Sequence, residues 1–518
     1  MLRTLLLPLL ALVVAALPAQ DESKSLSAFK KAFAVAKGKK PGASVDDKRR
    51  ALRATSGLDS SKVASTLVAG WKSLHSELVE LDALRNTYRL EMAELIKGQE
   101  AVGNRTLPQK KFLRLNELKP LVGKLREQGD EMRELQLALN KRIGELRRRD
   151  SVMWLLKKVC GHNKAELPLK LAAAQAIGAS SSEIVEELAT ALTRARQVPE
   201  QIVLLDAMAL AGEKANAYAT PVIKLLASSE PAVAERAALA LAKMAIPNAI
   251  QPMIGLLARS TGQMKQRVVA ALEVLTGEEF GDNIGAWQAW WQNEGAAVAS
   301  GGRTFGKGTP SNRKKTNENY YFGIPQSQSD AILYVLDCSG SMRAPVRLKT
   351  GQTTAGGEPA ETTRLEACKT ELIRALGQLN PKQKFAIIWY NDLPHWWQPK
   401  MQLAGKDTVK KAQEFVRGLK HASSTNIHDS LELGFTLVGR GAHDKYYGVE
   451  LDTIFLLTDG SPTKPGGGLD STDKILLAVK TWNPLQRITV HAIAIGRGIN
   501  EAFLRQLASD NGGEFKRF

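Results

Sequence analysis

Five oxygen-bearing side chains in the last third of the sequence have the types and spacing of a metal site. An acid and two hydroxyls alternate at Asp337, Ser339 and Ser341, directly after an apolar run. Asp459 directly follows a second apolar run, and Thr425 lies in a polar segment that precedes a helical pattern. Carboxylate and hydroxyl oxygens are hard ligands, which suit Mg²⁺ or Mn²⁺ better than a soft metal. Two carboxylates brought together without a cation would repel each other, which favours an ion between them.

The elements that must position these residues are apolar strands alternating with amphipathic helices. Predicted strands cover residues 332–336, 385–390, 453–458 and 488–495, and helical patterns lie between them. This alternation is typical of a doubly wound, Rossmann-like α/β fold, in which helices cover both faces of a parallel sheet. Such sheets bind ligands at the carboxyl ends of their strands, and the acids and hydroxyls fall at that edge.

The five residues resemble the metal-ion-dependent adhesion site of von Willebrand factor A (vWA) domains. Asp337, Ser339 and Ser341 match the DxSxS motif, Thr425 the loop threonine, and Asp459 the late aspartate. The resemblance places a vWA domain at residues 326–518. It implies an octahedral Mg²⁺ or Mn²⁺ that the serines and the threonine bind directly, while the aspartates often act through water. An open position on the ion would then accept a carboxylate oxygen from a protein partner.

A long polar segment at residues 343–363 departs from the compact motif of the family. It lies between Ser341 and the first helix of the predicted domain, so it is expected beside the metal site. Two interpretations stay open: the segment shapes the choice of partner, or it is a surface loop without a role.

Internal repeats indicate a helical array at residues 151–295. The segment that begins at Pro221 aligns with the one that begins at Pro252, and each has two amphipathic helices. Units of this kind predict an α-solenoid and resemble HEAT repeats, with an alanine-rich helical bundle as the alternative. Residues 26–75 look like a degenerate copy of the same helical pair.

The array ends in a tryptophan-rich helix. Trp287, Trp290 and Trp291 share one helix face, because they are spaced three and four residues apart. We expect this face to cap the apolar end of the array; a platform for stacking carbohydrate is the alternative.

Two further segments connect the predicted units. Residues 76–150 have long charged helices with apolar residues every three or four positions, which predicts an antiparallel coiled-coil hairpin. Pro120 and the nearby glycines predict a break in the second of these helices. Residues 296–325 are rich in Gly, Ser, Asn, Lys and Arg, and are predicted to be a basic linker.

The first residues indicate export. Residues 1–19 combine Arg3, an apolar stretch and small residues at a cleavage position, as in a signal peptide. No later stretch has the length and hydrophobicity of a membrane span, so we expect a secreted or periplasmic protein. Cys160, Cys338 and Cys368 are too few for a disulfide scaffold; the last two could pair, although buried free thiols are the simpler interpretation.

The overall charge is strongly basic. Lys and Arg number 71 against 53 Asp and Glu, a formal net charge of +18. This charge allows anionic cell-surface polymers as partners. Nucleic acid is disfavoured, because no basic run is interleaved with aromatic residues.

Together these patterns predict an exported, non-enzymatic scaffold or adhesion-type protein that binds an acidic partner through its metal. No HExxH motif, nucleophile elbow or Cys–His arrangement supports catalysis. The combination of export signal, HEAT-like repeats and vWA domain resembles bacterial proteins. The alternative is an accessory subunit of a larger complex, in which the helical array is the main binding surface and the metal is structural.

Overall fold

The computed structural model describes residues 21–34, 42–96, 108–161, 165–299, 319–347, 361–421, 424–436, 451–464, 468–496 and 498–518. They form a helical region (residues 21–299) and an α/β domain (residues 319–518). The predicted signal peptide and most of the predicted linker lie outside the described residues. No helix in the described part of the chain has the length and hydrophobicity needed to cross a bilayer.

The described residues of the helical region form thirteen α-helices. They are α1 Glu22–Ala32, α2 Val45–Arg53, α3 Ser61–Ile96, α4 Gln109–Gly144, α5 Arg149–Leu155, α6 Leu167–Gly178, α7 Ser182–Arg194, α8 Val198–Ala211, α9 Ala219–Leu225, α10 Pro231–Lys243, α11 Ile250–Arg259, α12 Gly262–Thr276 and α13 Ile284–Ala299. One continuous apolar core runs through them, from Leu26 to Val298.

Helices α3 and α4 form an antiparallel hairpin. Trp71 at the base of α3 donates its indole N–H to Asn140 of α4 over 2.7 Å, and Arg114 near the tip donates to Glu91 over 2.7 Å. The boundary expected between residues 75 and 76 falls inside α3. The helix is continuous there because its buried apolar stripe runs on from Trp71 to Leu78 without a breaker.

The predicted break at Pro120 is wrong, since α4 is one helix from Gln109 to Gly144. A proline inside a helix removes one backbone hydrogen bond and crowds the preceding turn. Buried apolar residues lie on both sides of the proline in α4. They are Leu115, Leu118 and Val122, which pack with Met92 of α3. This packing on both sides of Pro120 offsets the cost of the missing bond.

The repeated units are pairs of helices, α9 with α10 and α11 with α12. Helices α6, α8, α10 and α12 stack on one another in that order, as a repeat array requires. Helix α13 packs against α11, and its Trp287 is fully buried, edge-on to Phe280 with ring centroids 4.9 Å apart. The assignment to HEAT repeats stays a prediction.

In the part of the α/β domain that the structure describes, there are eleven strands and five α-helices. The strands are β1 Tyr320–Tyr321, β2 Ile324–Pro325, β3 Ala331–Asp337, β4 Pro345–Arg347, β5 Glu361–Thr363, β6 Lys384–Tyr390, β7 Pro394–Trp396, β8 Gln402–Leu403, β9 Thr453–Thr458, β10 Thr489–Ala494 and β11 Phe515–Arg517. The helices are α14 Arg364–Gly377, α15 Lys406–Gly418, α16 Ile427–Thr436, α17 Thr472–Trp482 and α18 Glu501–Asp510.

A seven-stranded sheet is the centre of this domain. Its strand order is β11-β10-β9-β3-β6-β7, and β8 pairs with the first two residues of β6. The pairs among β3, β6, β9, β10 and β11 are parallel, and β7 and β8 run antiparallel to β6. Helices α14 and α15 cover one face, and α16, α17 and α18 cover the other. The predicted doubly wound sheet is therefore confirmed.

The α/β domain begins before residue 326. Strands β1 and β2 pair as a small antiparallel hairpin, and Tyr321 is buried between Tyr334 of β3 and Phe455 of β9. The end of the predicted linker thus belongs to the domain, because its aromatic residues fill the core. Cys338 and Cys368 are buried in the same core as free thiols, and Cys160 is a buried free thiol in the helical region.

The described part of the helical region contacts the α/β domain at both edges of its sheet and along helices α16 and α17. At the amino edge of the sheet, Thr261 donates to Asp330 over 2.7 Å, and Arg267 donates to the carbonyl of Arg487 over 2.5 Å. Near the carboxyl edge, Lys119 of α4 forms an ion pair with Asp392 at 2.5 Å. The domain is therefore held from both ends of its strands.

Candidate metal site

The five predicted ligand residues come together at the carboxyl edge of the sheet. Strand β3 ends at Asp337, and Asp459 directly follows the neighbouring parallel strand β9. Ser339 follows Asp337, and Ser341 lies in a short 3₁₀ turn, Gly340–Arg343. Thr425 lies in the loop that leads into α16.

A chain of hydrogen bonds links four of these side chains. The backbone N–H of Ser339 donates to Asp337 Oδ1 over 2.8 Å, and the hydroxyls of Ser339 and Ser341 are 2.9 Å apart. Ser341 then donates to Asp459 Oδ1 over 2.6 Å. One connected set of oxygens therefore runs from the first aspartate to the second.

Gly460 shows that Thr425 belongs to the same cluster. A Cβ atom placed on Gly460 would lie 3.7 Å from Thr425 Oγ1 and 3.8 Å from Ser341 Oγ. The two hydroxyls thus border the same small space beside Asp459. The structure brings all five predicted residues together.

The loop that carries Thr425 is fixed by a second loop. Thr463 accepts a hydrogen bond from the Thr425 N–H over 2.8 Å through its hydroxyl, and its own N–H donates to the Thr425 carbonyl over 2.8 Å. Thr463 lies four residues after Asp459, so the segments that carry Thr425 and Asp459 are joined directly.

Asp337 is fully buried, and its environment disfavours the charged form. Burial and the nearby Asp459 carboxylate raise the pKa of Asp337 to about 6, although hydrogen bonds from Ser339 and Thr458 act in the opposite direction. The Thr458 hydroxyl is 2.8 Å from Asp337 Oδ2. A divalent cation between the aspartates would offset the repulsion that disfavours the ionisation of Asp337.

Among the described residues, the cationic side chain of Arg364 contacts the site. Arg364, the first residue of α14, donates from Nη1 to Asp459 Oδ2 over 2.8 Å. Its guanidinium lies against Gly496, where a Cβ atom would approach Arg364 Nε to 2.4 Å. Two aspartates and one arginine leave these described groups with a net negative charge when both acids are ionised. The hard oxygens, their shared space and this charge fit a divalent cation.

Several groups in this arrangement were not predicted from the sequence. Arg364, Thr458 and Thr463 contact the ligand residues, but no motif singles them out. The position of Arg364 at the start of the first helix after the DxSxS motif is a signal that could have indicated it. The long segment at 343–363 is described only at its two ends, where β4 and β5 pair antiparallel beside α14.

A second acidic cluster lies on α16 and behaves differently. His428, Asp429 and Glu432 have potential ligand atoms within 4.8 Å of one another. Arg85 of α3 already binds both carboxylates, at 2.6 Å from Asp429 and 2.9 Å from Glu432. These acids are therefore neutralised by arginine, and the cluster is not a candidate metal site.

Comparison with known proteins matches most of the α/β domain to a family. The family model of the von Willebrand factor type A domain matches residues 357–516. The matched range contains Thr425 and Asp459, and it begins after Asp337, Ser339 and Ser341. The α/β domain is a vWA domain.

Relatives of this vWA domain occur in larger proteins. Over 187 residues it is 28% identical to human inter-alpha-trypsin inhibitor heavy chain H4, a match that covers 36% of this chain and 18% of that protein. Over 190 residues it is 26% identical to human von Willebrand factor A domain-containing protein 3B, covering 36% of this chain and 12% of that protein. The chain thus spans less than a fifth of the length of either relative.

Matches to solved structures were also found. A von Willebrand factor type A protein from Catenulispora acidiphila is 17% identical with a TM-score of 0.28, covering 36% of this chain and 38% of that one. Proximal thread matrix protein 1 from the mussel byssus, solved with a zinc-occupied MIDAS motif, is 18% identical with a TM-score of 0.26, covering 36% and 41%.

Proposed function

We propose that this protein is an exported, adhesion-type or scaffold protein whose vWA domain binds an acidic protein partner through Mg²⁺ or Mn²⁺. The observation that carries the proposal is the continuous set of oxygens from Asp337 through Ser339 and Ser341 to Asp459, with Thr425 bordering the same space. These five residues would hold the ion. The ion would supply a positive centre for a carboxylate oxygen of the partner.

The residues of the site fit a binding role better than a catalytic one. Ser339 and Ser341 are hydrogen-bonded to each other, and Ser341 donates to Asp459, whose carboxylate is also paired with Arg364. A serine nucleophile needs an adjacent base that is free to take its proton. Asp459 is instead already occupied by the Arg364 guanidinium and the Ser341 hydroxyl.

Export is proposed from residues 1–19, whose pattern is that of a signal peptide. The helical region then holds the vWA domain from both edges of its sheet, which suits a rigid scaffold that presents one metal-bearing face. Anionic surface polymers are compatible partners for the net charge of +18.

Calorimetric titration of the full chain with Mg²⁺ and with Mn²⁺ tests the metal site. We expect binding by the wild type, loss of binding in Asp337→Ala, and at least tenfold weaker binding in Ser341→Ala. Ser341 is exposed, so its substitution tests the site without disturbing the core. Thermal unfolding of each variant, without metal, checks that the fold is retained.

The acidic partner is tested by capturing binding proteins on immobilised wild-type and Asp337→Ala chains, with and without chelator. Partners held through the metal are lost in the variant and in chelator. Partners retained in both would instead support the accessory-subunit alternative, in which the helical array is the binding surface. Equal metal binding by the wild type and Asp337→Ala would refute the proposed site.

A further inference from the structure

The hairpin of α3 and α4 places two buried arginines against the vWA domain. Arg85 of α3 is 2% exposed. Its Nη2 donates to Asp429 over 2.6 Å and to Glu432 over 2.9 Å, and its Nη1 donates to Glu432 over 3.1 Å. Both acids lie on α16, the helix that directly follows Thr425.

Asp429 connects Arg85 to the threonine loop. Asn426, the residue after Thr425, donates from its side-chain amide to Asp429 Oδ2 over 3.0 Å. The Asp429 N–H in turn donates to Asn426 Oδ1 over 3.2 Å. The carboxylate that Arg85 binds is therefore the one that fixes the residue next to Thr425.

Arg126 of α4 makes the corresponding contact with the other ligand segment. It is 3% exposed and forms a short ion pair with Asp470. The Asp470 N–H donates to the carbonyl of Pro462 over 2.8 Å, next to Thr463, which binds both backbone groups of Thr425. Arg126 Nη1 is also 3.9 Å from Asp429 Oδ1, so this arginine approaches both segments.

We infer that Arg85 and Arg126 are positioning residues of the metal site, an inference that rests on the proposed metal binding. Neither arginine touches a ligand residue. Both arginines belong to the helical region and hold loops of the vWA domain. Arg85 holds the loop of Thr425 through Asp429, and Arg126 holds the segment that follows Asp459 through Asp470. Docking of the hairpin and binding of the metal should therefore stabilise each other, because each favours the same loop arrangement.

The contacts at the opposite edge of the sheet supply a matched control. Arg267 of α12 donates to the carbonyl of Arg487 over 2.5 Å, just before β10, where no proposed ligand residue lies. Arg267 thus docks the same two regions without touching the ligand loops. Replacing Arg267 therefore shows how weaker docking at the opposite edge of the sheet changes metal affinity.

The test measures Mn²⁺ affinity and the metal-induced rise in Tm for four full-length variants, Arg85→Gln, Arg126→Gln, Asp470→Asn and Arg267→Gln. We expect the first three to bind Mn²⁺ at least tenfold more weakly and to show a smaller rise in Tm on adding metal. Arg267→Gln should lower the Tm of the metal-free protein but keep the wild-type Mn²⁺ affinity. Asp470→Asn keeps the Arg126 side chain in place, with Asp130 and Asp429 each 3.9 Å from it, so this variant carries the test if an arginine variant fails to fold.

A role in positioning also predicts a local effect in the metal-free protein. Amide hydrogen exchange at residues 424–429 and 459–463 should quicken in Arg126→Gln and stay unchanged in Arg267→Gln. Wild-type Mn²⁺ affinity in Arg126→Gln and Asp470→Asn would overturn the inference while leaving the proposed function intact. A wild type that binds no metal would overturn both.

Discussion

Arg364 and Asp459 form an ion pair inside the proposed metal site, with Arg364 Nη1 2.8 Å from Asp459 Oδ2. The other oxygen of the same carboxylate, Oδ1, accepts a hydrogen bond from Ser341 over 2.6 Å. One aspartate is thus shared between an arginine and the hydroxyl network. The arginine cancels one negative charge, so a bound divalent cation would leave the site positive and attractive to an acidic partner.

Replacing Arg364 should strengthen metal binding and weaken binding of the acidic partner. We expect Arg364→Gln to bind Mn²⁺ on the order of tenfold more tightly, because a cation that repels the ion is removed. Binding of an acidic partner should weaken, because the loaded site loses positive charge. Calorimetry with Mn²⁺ measures the first effect, and metal-dependent capture of the partner measures the second. Weaker Mn²⁺ binding in the variant would mean that Arg364 serves mainly to orient Asp459.

Gly496 leaves the space that the Arg364 guanidinium occupies. Its φ is +95°, and an added Cβ would lie 2.4–2.6 Å from the guanidinium. We expect Gly496→Ala to displace Arg364, change Mn²⁺ affinity in the same direction as Arg364→Gln, and destabilise the fold by more than ~1 kcal/mol. Gly498→Ala is the control, because its φ is +79° but nothing lies within 4 Å of the added Cβ. Equal effects of the two substitutions on metal affinity would contradict this role.

Thr458 supports Asp337 from behind the site. Its hydroxyl donates to Asp337 Oδ2 over 2.8 Å in the buried core. We expect Thr458→Val to cost about 1–3 kcal/mol of unfolding free energy, because a buried carboxylate loses a hydrogen bond. Metal affinity should fall roughly 10- to 100-fold. Denaturant unfolding and calorimetry measure the two effects, with Thr370→Val on the exposed face of α14 as the control. Unchanged metal affinity would show that Asp337 does not need this donor.

Glu432 should make stability depend on acid pH. Burial raises its pKa, but Arg85 and Arg89 outweigh burial and lower the pKa from 4.5 to about 2. The ion pairs therefore stabilise the protein above about pH 4.5, and this stabilisation is lost as the pH falls from about 4.5 towards 2. Urea unfolding should show Glu432→Gln well below the wild type in stability at pH 7 and closer to it at pH 3. The exposed Glu186→Gln variant should match the wild type at both, and a Glu432→Gln difference independent of pH would exclude the ion-pair explanation.

The sequence predicted most of the α/β domain because its signals are local. Strand β9 at 453–458 and helix α17 at Thr472–Trp482 match their apolar and amphipathic patterns within a residue. The candidate ligand residues could be proposed for the same reason: an acid at the end of a buried strand is visible in a few consecutive positions. Parallel strand order then brings Asp337 and Asp459 to one edge.

The helical region shows where local signals were insufficient. Pro120 predicted a break, yet α4 is continuous because Leu115, Leu118 and Val122 pack against α3. That packing depends on a partner helix, and single-residue preferences do not contain it. The boundary expected between residues 75 and 76 likewise falls inside α3, because packing along the whole hairpin decides how far each helix extends.

The sequence by itself determined the alternation of strands and helices and the set of five candidate oxygen ligands. Both depend on patterns of residue type within short stretches of the chain. Tertiary structure alone decided which arginines contact Asp459 in the site and Asp429 on the neighbouring helix α16. Arg364 meets Asp459 across 95 residues, and Arg85 meets Asp429 across 344 residues. Such pairs form only after separate elements and separate domains have packed, because packing brings distant charges together and removes the water between them.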